Sequence, residues 1–181
     1  MKILKTLLFV VIALVLVLVA VGAVLPDTTH VERSVVIDAP PDHVFTFANN
    51  IKNFNQWSPW HPIDPNTKYS FSGPDQGVGA KMTWQSDHKN VGSGSQEIMQ
   101  SQANELVKVF LDFGDMGVAD AIYALKPEGE GTHFTWAFDT EHGWNLMGRY
   151  FGLMMDSWVG TDYEKGLAKL KQVVETDYNK Q

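Results

Sequence analysis

The chain has 181 residues, a formal net charge of −7 and no cysteine. The lack of cysteine excludes disulfides, thiol catalysis and cysteine-ligated zinc or iron–sulfur sites. The acidic balance disfavours a nucleic-acid partner, because phosphate binding requires a basic face. The length allows one domain of ordinary size plus an N-terminal appendage.

The N-terminus carries an uninterrupted apolar run over residues 7–25, preceded by Lys2 and Lys5. About 20 such residues cross a hydrocarbon core as a helix, whereas the apolar core of a signal peptide has roughly 7–15. We therefore predict a transmembrane signal anchor over residues 1–25, with a signal peptide cleaved after Ala23 as the alternative. The lysines place the N-terminus in the cytoplasm and the remaining chain on the far side of the membrane, periplasmic or extracellular.

Residues 26–30 are predicted to be a linker, followed by a domain over residues 31–176 and a tail over residues 177–181. The domain opens with a strand-like pattern over residues 31–38, with Val35 and Ile37 on its inner face. Two short helical pieces are expected after it, because consecutive prolines favour a helix start and the apolar residues that follow recur at helical spacing. An aromatic, proline-rich turn over residues 54–62 ends this part of the chain.

Six further short strands are predicted between the helical pieces and the end of the domain. They comprise residues 69–72, 80–86, 94–100, 106–113, 118–125 and 132–139. Most alternate apolar and polar side chains, which indicates an antiparallel sheet with one covered and one wet face. The strand over residues 94–100 is ambiguous, since Gln96 and Ile98 point one way and Glu97 points the other.

The last patterned segment, residues 145–175, is predicted to be helical. Its second half has an apolar stripe formed by Tyr163, Leu167, Leu170 and Val174. Its first half has another, formed by Met147, Tyr150, Phe151, Met154 and Trp158. At about 100° per residue the two stripes point to nearly opposite sides of a straight helix. We therefore expect a break at Gly160, where Thr161 and Glu164 form a capping-box pattern; a continuous kinked helix is the alternative.

Four segments carry a resemblance to a known family: VERSVVIDAPPDHVFTFANNIKNFNQWSPW, GVGAKMTWQSDHKNVGSGSQEI, GTHFTWAF and GTDYEKGLAKLKQVVE. In this order and spacing the chain resembles the START-like, polyketide-cyclase/dehydrase (SRPBCC) superfamily. The resemblance implies an α+β helix-grip fold, in which a curved antiparallel sheet of about seven strands wraps a long C-terminal helix. It also implies a cavity between sheet and helix for hydrophobic or amphipathic small molecules. Only some members are catalysts, and the superfamily shares no catalytic motif.

Aromatic and methionine side chains are the predicted ligand-binding residues, because they form a soft and adaptable apolar surface. They are Trp57, Trp60, Met82, Trp84, Tyr123, Trp136, Met147, Tyr150, Phe151, Met154 and Trp158. Glu97 is the candidate catalytic residue, since an apolar cavity would raise the pKa of its carboxyl group. A glutamate on the wet face is the alternative. We expect no metal site and no cofactor, because the histidines lack metal-binding spacing.

These features predict a membrane-tethered binding or carrier domain for a lipid-like or polyketide-like molecule. A polyketide cyclase/dehydratase-type enzyme is one alternative, for which Glu97 and His133 are the available acid–base pair. An envelope protein-interaction module is another, and it would require an exposed apolar patch. The sequence leaves the ligand and the oligomeric state open.

Overall fold

The computed structural model describes residues 2–180, so that Met1 of the predicted anchor and Gln181 of the predicted tail lie outside the described residues. Four α-helices are present in this range: α1 (Lys2–Val24), α2 (Pro41–Ala48), α3 (Phe54–Trp57) and α4 (Leu146–Tyr178). The strands are β1 (Thr28–Ile37), β2 (Lys68–Ser72), β3 (Lys81–Gln85), β4 (Ser93–Gln102), β5 (Leu106–Asp112), β6 (Val118–Glu128) and β7 (Gly131–Glu141).

The seven strands form one antiparallel sheet in the order β1-β7-β6-β5-β4-β3-β2. Strands β2 to β7 follow one another as a meander, and β1 pairs with β7 from Thr28 opposite Glu141 to Ile37 opposite Thr132. Helix α4 packs against the sheet over β1, with α2 and α3 beside it. The predicted α+β helix-grip fold is confirmed, and the seven strands differ from their predicted bounds by at most three residues.

The hydrophobic core lies between the sheet and α4. Strand alternation and helical periodicity predict eight core side chains, and six of them are buried: Ile37, Val109, Phe134, Phe138, Leu167 and Leu170. Val35 and Leu111 are half-buried and pack against them. Trp136 of β7 stacks on Tyr163 of α4 with ring centroids 3.8 Å apart, so that stacked aromatic rings join the helix to the sheet.

Helix α4 is continuous over 33 residues, and the predicted break at Gly160 is wrong. Thr161 does not cap a new helix, because its hydroxyl donates to the carbonyl of Ser157 one turn earlier. Gly160 is buried, and a Cβ at this position would collide with the guanidinium of Arg33. This glycine therefore permits a close approach of β1 to α4 and does not end a helix.

The two stripes of α4 consequently face opposite directions, as the helical periodicity requires of an unbroken helix. Tyr163, Leu167, Leu170 and Val174 are buried against the sheet. Four side chains of the first-half stripe are between 41% and 63% exposed: Met147, Phe151, Met154 and Trp158.

Two boundaries differ from those expected. Strand β1 begins at Thr28, inside the stretch predicted to be a linker, because Thr28 to His30 already pair with β7. Helix α4 continues through Asp177 to Tyr178, which were predicted to belong to the tail.

The last turns of α1 contact the first turns of α4. The guanidinium of Arg149, only 8% exposed, donates from Nη1 to the carbonyls of Ala23 (3.0 Å) and Leu25 (3.1 Å). The hydroxyl of Tyr150 donates to the carbonyl of Leu18 at 2.6 Å. A helix leaves its last carbonyls without intrahelical donors, and here a side chain of the domain supplies donors to the end of α1.

Candidate ligand-binding cavity

A cavity of about 380 Å³ lies between the sheet and α4. Its volume falls in the range of small-molecule sites, which is roughly 300–1,000 Å³. The strands contribute mainly apolar side chains, among them Met82, Trp84, Leu111, Ala119, Ala121 and Trp136. Helix α4 contributes Met155, Val159 and Tyr163, and the connections β3–β4 and β5–β6 contribute residues 89–92 and 116–117.

Strand alternation explains why this face is apolar. In β6 the buried residues are Ala119, Ala121, Tyr123 and Leu125, and each is separated from the next by a less buried neighbour. The two alanines carry short side chains beside the large rings of Tyr123 and Trp136. Space therefore remains next to the alanines, whereas the aromatic end of the sheet is filled.

Five of the predicted ligand-binding residues line the cavity: Trp60, Met82, Trp84, Tyr123 and Trp136. Trp57 does not; it is 1% exposed and packs edge-on against the ring of Trp136, with centroids 5.0 Å apart. Trp57 therefore packs behind Trp136, a residue of the lining, and does not contact the cavity itself.

The predicted residues on α4 lie outside the cavity lining. They are Met147, Tyr150, Phe151, Met154 and Trp158. The helix turns them away because Tyr163 fixes its sheet-facing side, and steps of four residues back from Tyr163 lead to Val159 and Met155. Extending the second-half stripe backwards through the sequence identifies the two residues that line the cavity.

Glu97 is also outside the lining. It points to the other face of β4, where the Nζ of Lys81 lies 3.3 Å from its carboxylate. His133 is half-exposed on β7 and pairs with Glu128 at 2.9 Å. The structure therefore does not bring the proposed acid–base pair together in the cavity.

Gln96 is a cavity residue that the sequence interpretation did not select. Its side chain is only 3% exposed, and its Nε2 donates to no other atom of the described residues. Buried amides are normally paired, so Gln96 leaves an unsatisfied donor that the lining shields. The signal was present in the sequence, because Gln96 shares a strand face with Ile98.

Apart from Lys89, the remaining polar side chains in the described lining are neutral at neutral pH. Burial raises the pKa of the Tyr123 and Tyr163 hydroxyls above the ordinary tyrosine value, so both remain potential donors at neutral pH. Among the described residues the lining contains no aspartate, glutamate or histidine. No cluster of three or more potential metal ligands is found in residues 2–180. The lining is suited to hold an apolar molecule by its body and one polar group by hydrogen bonds.

The family profile described as polyketide cyclase / dehydrase and lipid transport matches residues 28–175. No curated protein matches the chain. A protein of unknown function from Staphylococcus aureus superposes with a TM-score of 0.63 at 13% identity, over 84% of this chain and 96% of that one. A protein from Mycobacterium smegmatis superposes with a TM-score of 0.59 at 14% identity, over 83% of this chain and 94% of that one.

A Chromobacterium violaceum protein superposes with a TM-score of 0.57 at 16% identity, covering 83% of this chain and 98% of that one. These structures share the fold, and the family follows from the profile. The match over nearly the whole domain shows that the chain belongs to the polyketide cyclase / dehydrase and lipid transport family.

Proposed function

We propose that the domain binds an apolar or amphipathic small molecule between the sheet and α4 without transforming it, while α1 tethers the domain to a membrane. The observation that carries the proposal is the cavity of about 380 Å³, whose described lining is apolar apart from a few neutral side chains and Lys89. A site without a carboxylate or an imidazole lacks the side chains most often used for general acid–base catalysis.

The size of the cavity is compatible with useful affinity. At about 25 cal/mol per Å² of apolar surface removed from water, micromolar binding at roughly −8 kcal/mol requires about 330 Å² of burial before the costs of association. Preformed pockets bury most of the surface of a small ligand. We therefore expect binding in the micromolar range for a ligand that fills the space beside Ala119 and Ala121.

The polar end of the ligand is expected to be a neutral hydrogen-bond acceptor, such as a carbonyl or hydroxyl oxygen. The hydroxyls of Tyr123 and Tyr163 belong to residues of the lining, and a ligand acceptor would satisfy the shielded Nε2 of Gln96 after a change of side-chain rotamer. An ionised group would be desolvated there at high cost, and Lys89 is the single cation among the described lining residues.

Tethering is supported by α1 and by Arg149. Helix α1 is long and apolar enough to cross a membrane, and little of it is buried. Cleavage after Ala23 would remove two of the carbonyls that accept from Arg149, those of Gly22 and Ala23. Arg149 would keep the carbonyls of Leu25 and Gly143 but lose two acceptors and the helix end that it binds, and this loss favours an anchor that is retained.

Native mass spectrometry of the full chain, released from lipid nanodiscs, tests the binding proposal. We expect a co-purified ligand in the natural protein. Ala121→Leu fills part of the cavity and should remove the ligand. Ala103→Leu, at an exposed turn, is the matched control and should retain it. The proposal fails if no form retains a ligand and titration with fatty acids, phospholipids and isoprenoids leaves the tryptophan fluorescence unchanged.

A further inference from the structure

The first four turns of α4 carry an exposed apolar surface, which we call the outer stripe and define by Met147, Phe151, Met154 and Trp158. Single exposed apolar side chains are ordinary, whereas a contiguous group of this size marks an interaction surface. The cavity does not use the outer stripe, because its lining residues Met155 and Val159 point towards the sheet side.

The same side of α4 changes character further along the helix. Lys165 and Lys169 follow Met147 and Phe151 after about five turns, at 3.6 residues per turn, and therefore point in the same direction. Both lysines are exposed. One side of one continuous helix is thus apolar as far as Trp158 and charged from Lys165, which indicates two different surroundings.

The contact with α1 identifies the surroundings of the apolar part. The hydroxyl of Tyr150, one turn into α4, bonds to the carbonyl of Leu18. At 1.5 Å per residue Leu18 lies about 10 Å below Leu25 along α1. If α1 spans a bilayer, the start of α4 therefore lies at the depth of the headgroups and upper acyl chains.

The residues around this contact are those that favour such a depth. Tyrosine and tryptophan concentrate at membrane–water interfaces, and Trp144 is exposed beside the start of α4, with the guanidinium of Arg149 5.5 Å from its ring centre. The four side chains of the outer stripe carry no charge. The nearby Asp156 is paired with Arg33.

We propose that the outer stripe is embedded in the leaflet from which the domain emerges, in the same bilayer that α1 spans, and that α4 leaves the lipid between Trp158 and Lys165. The inference rests on the proposed tether. It places the wall of the cavity formed by Met155 and Val159 on the helical turns that touch lipid. Since the stripe is uncharged, the contact requires no anionic lipid.

The lack of cysteine allows the test to use single nitroxide labels on the full chain in phosphatidylcholine nanodiscs. Met147→Cys and Met154→Cys report on the outer stripe. Lys165→Cys and Lys169→Cys are matched controls on the same side of the same helix. Val15→Cys reports on α1. At each labelled site we compare two accessibilities of the nitroxide. One is to oxygen, which concentrates in lipid, and the other is to a water-soluble nickel chelate.

We expect the two stripe sites and Val15 to be several-fold more accessible to oxygen than to the chelate, and the two lysine sites to show the reverse. If the stripe sites behave like Lys165 while Val15 is in lipid, the inference is overturned and the tether stands. If Val15 itself is accessible to the chelate, the tether fails and the inference fails with it. Stripe sites shielded from both reagents would mean that a protein surface covers them, which also overturns the proposal.

Discussion

Gln96→Leu is expected to weaken ligand binding and at the same time stabilise the ligand-free domain. Gln96 is 3% exposed in the cavity lining, and its Nε2 has no acceptor among the described residues. Leucine has a similar size and removes the donor. Gln100→Leu is the matched control, because Gln100 belongs to the same strand β4 and is exposed.

The loss of affinity and the gain in stability have the same cause, which is the removal of a buried donor that only a ligand can satisfy. A buried amide without a partner costs about 1–3 kcal/mol, which leucine avoids; at roughly 2–4 °C per kcal/mol for a chain of this size, the melting temperature should rise. A net hydrogen bond to the ligand is worth about 0.5–1.5 kcal/mol, so its loss should raise Kd by about 2- to 12-fold.

The assay measures both quantities on the full chain in nanodiscs. Urea unfolding followed by tryptophan fluorescence gives stability, and titration with a fluorescent lipid analogue gives Kd. Gln100→Leu should change neither. If Gln96→Leu lowers stability and affinity together, Gln96 is a packing residue. An unchanged Kd would show that the amide does not touch the ligand, and in either case the reasoning is refuted.

Three further outcomes are expected. Leu167→Ala should destabilise the domain to urea by about 2–5 kcal/mol, the usual cost of truncating a buried leucine; a loss below about 0.5 kcal/mol would mean that this side of α4 faces water. Burial raises the pKa of Tyr123 and Tyr163 above the ordinary value of 10.0. Folding therefore keeps them neutral while the unfolded chain ionises, so their contribution to stability should be constant below about pH 10 and fall above it by up to about 1.4 kcal/mol per pH unit for each tyrosine. Urea titrations at stepped pH measure this fall, and tyrosinate absorbance from these residues before unfolding would contradict it. Arg149→Met should cost about 1.5–3 kcal/mol, the value of hydrogen bonds from a charged group, and accelerate amide hydrogen exchange in the first turns of α4; exchange identical to that of the natural protein would show that α1 is not held by this contact.

Strand alternation and helical periodicity predicted most of the fold, because a one-sided sheet must present its apolar residues at every second position. The start of β1 was missed for a physical reason. Thr28 to His30 are polar and lie in a strand at the edge of the sheet, where pairing with β7 through backbone hydrogen bonds requires no apolar side chain.

The candidate site could be predicted only in part. Alternation in β4 places Gln96 and Ile98 on one face of the strand and Glu97 on the other, but it does not tell which face is covered. In the structure Gln96 and Ile98 are buried. The periodicity of α4 correctly gave two opposed stripes. The expected break at Gly160 came from requiring that both stripes face the domain. The same requirement assigned the cavity wall to the first-half stripe, whereas Met155 and Val159 line the cavity.

The pairing of β1 with β7 also determines the order in which the molecule can be completed. β1 is synthesised directly after α1, whereas β7 is the last strand of the chain. Strands β2 to β6 can pair with their neighbours as they emerge, but β1 has no partner until β7 follows. Non-local pairing of this kind slows folding and leaves a strand open to wrong partners in the interval. In a chain held by its first helix, as proposed, β1 would wait near the membrane until β7 had been synthesised, so the sheet would be completed only late in synthesis.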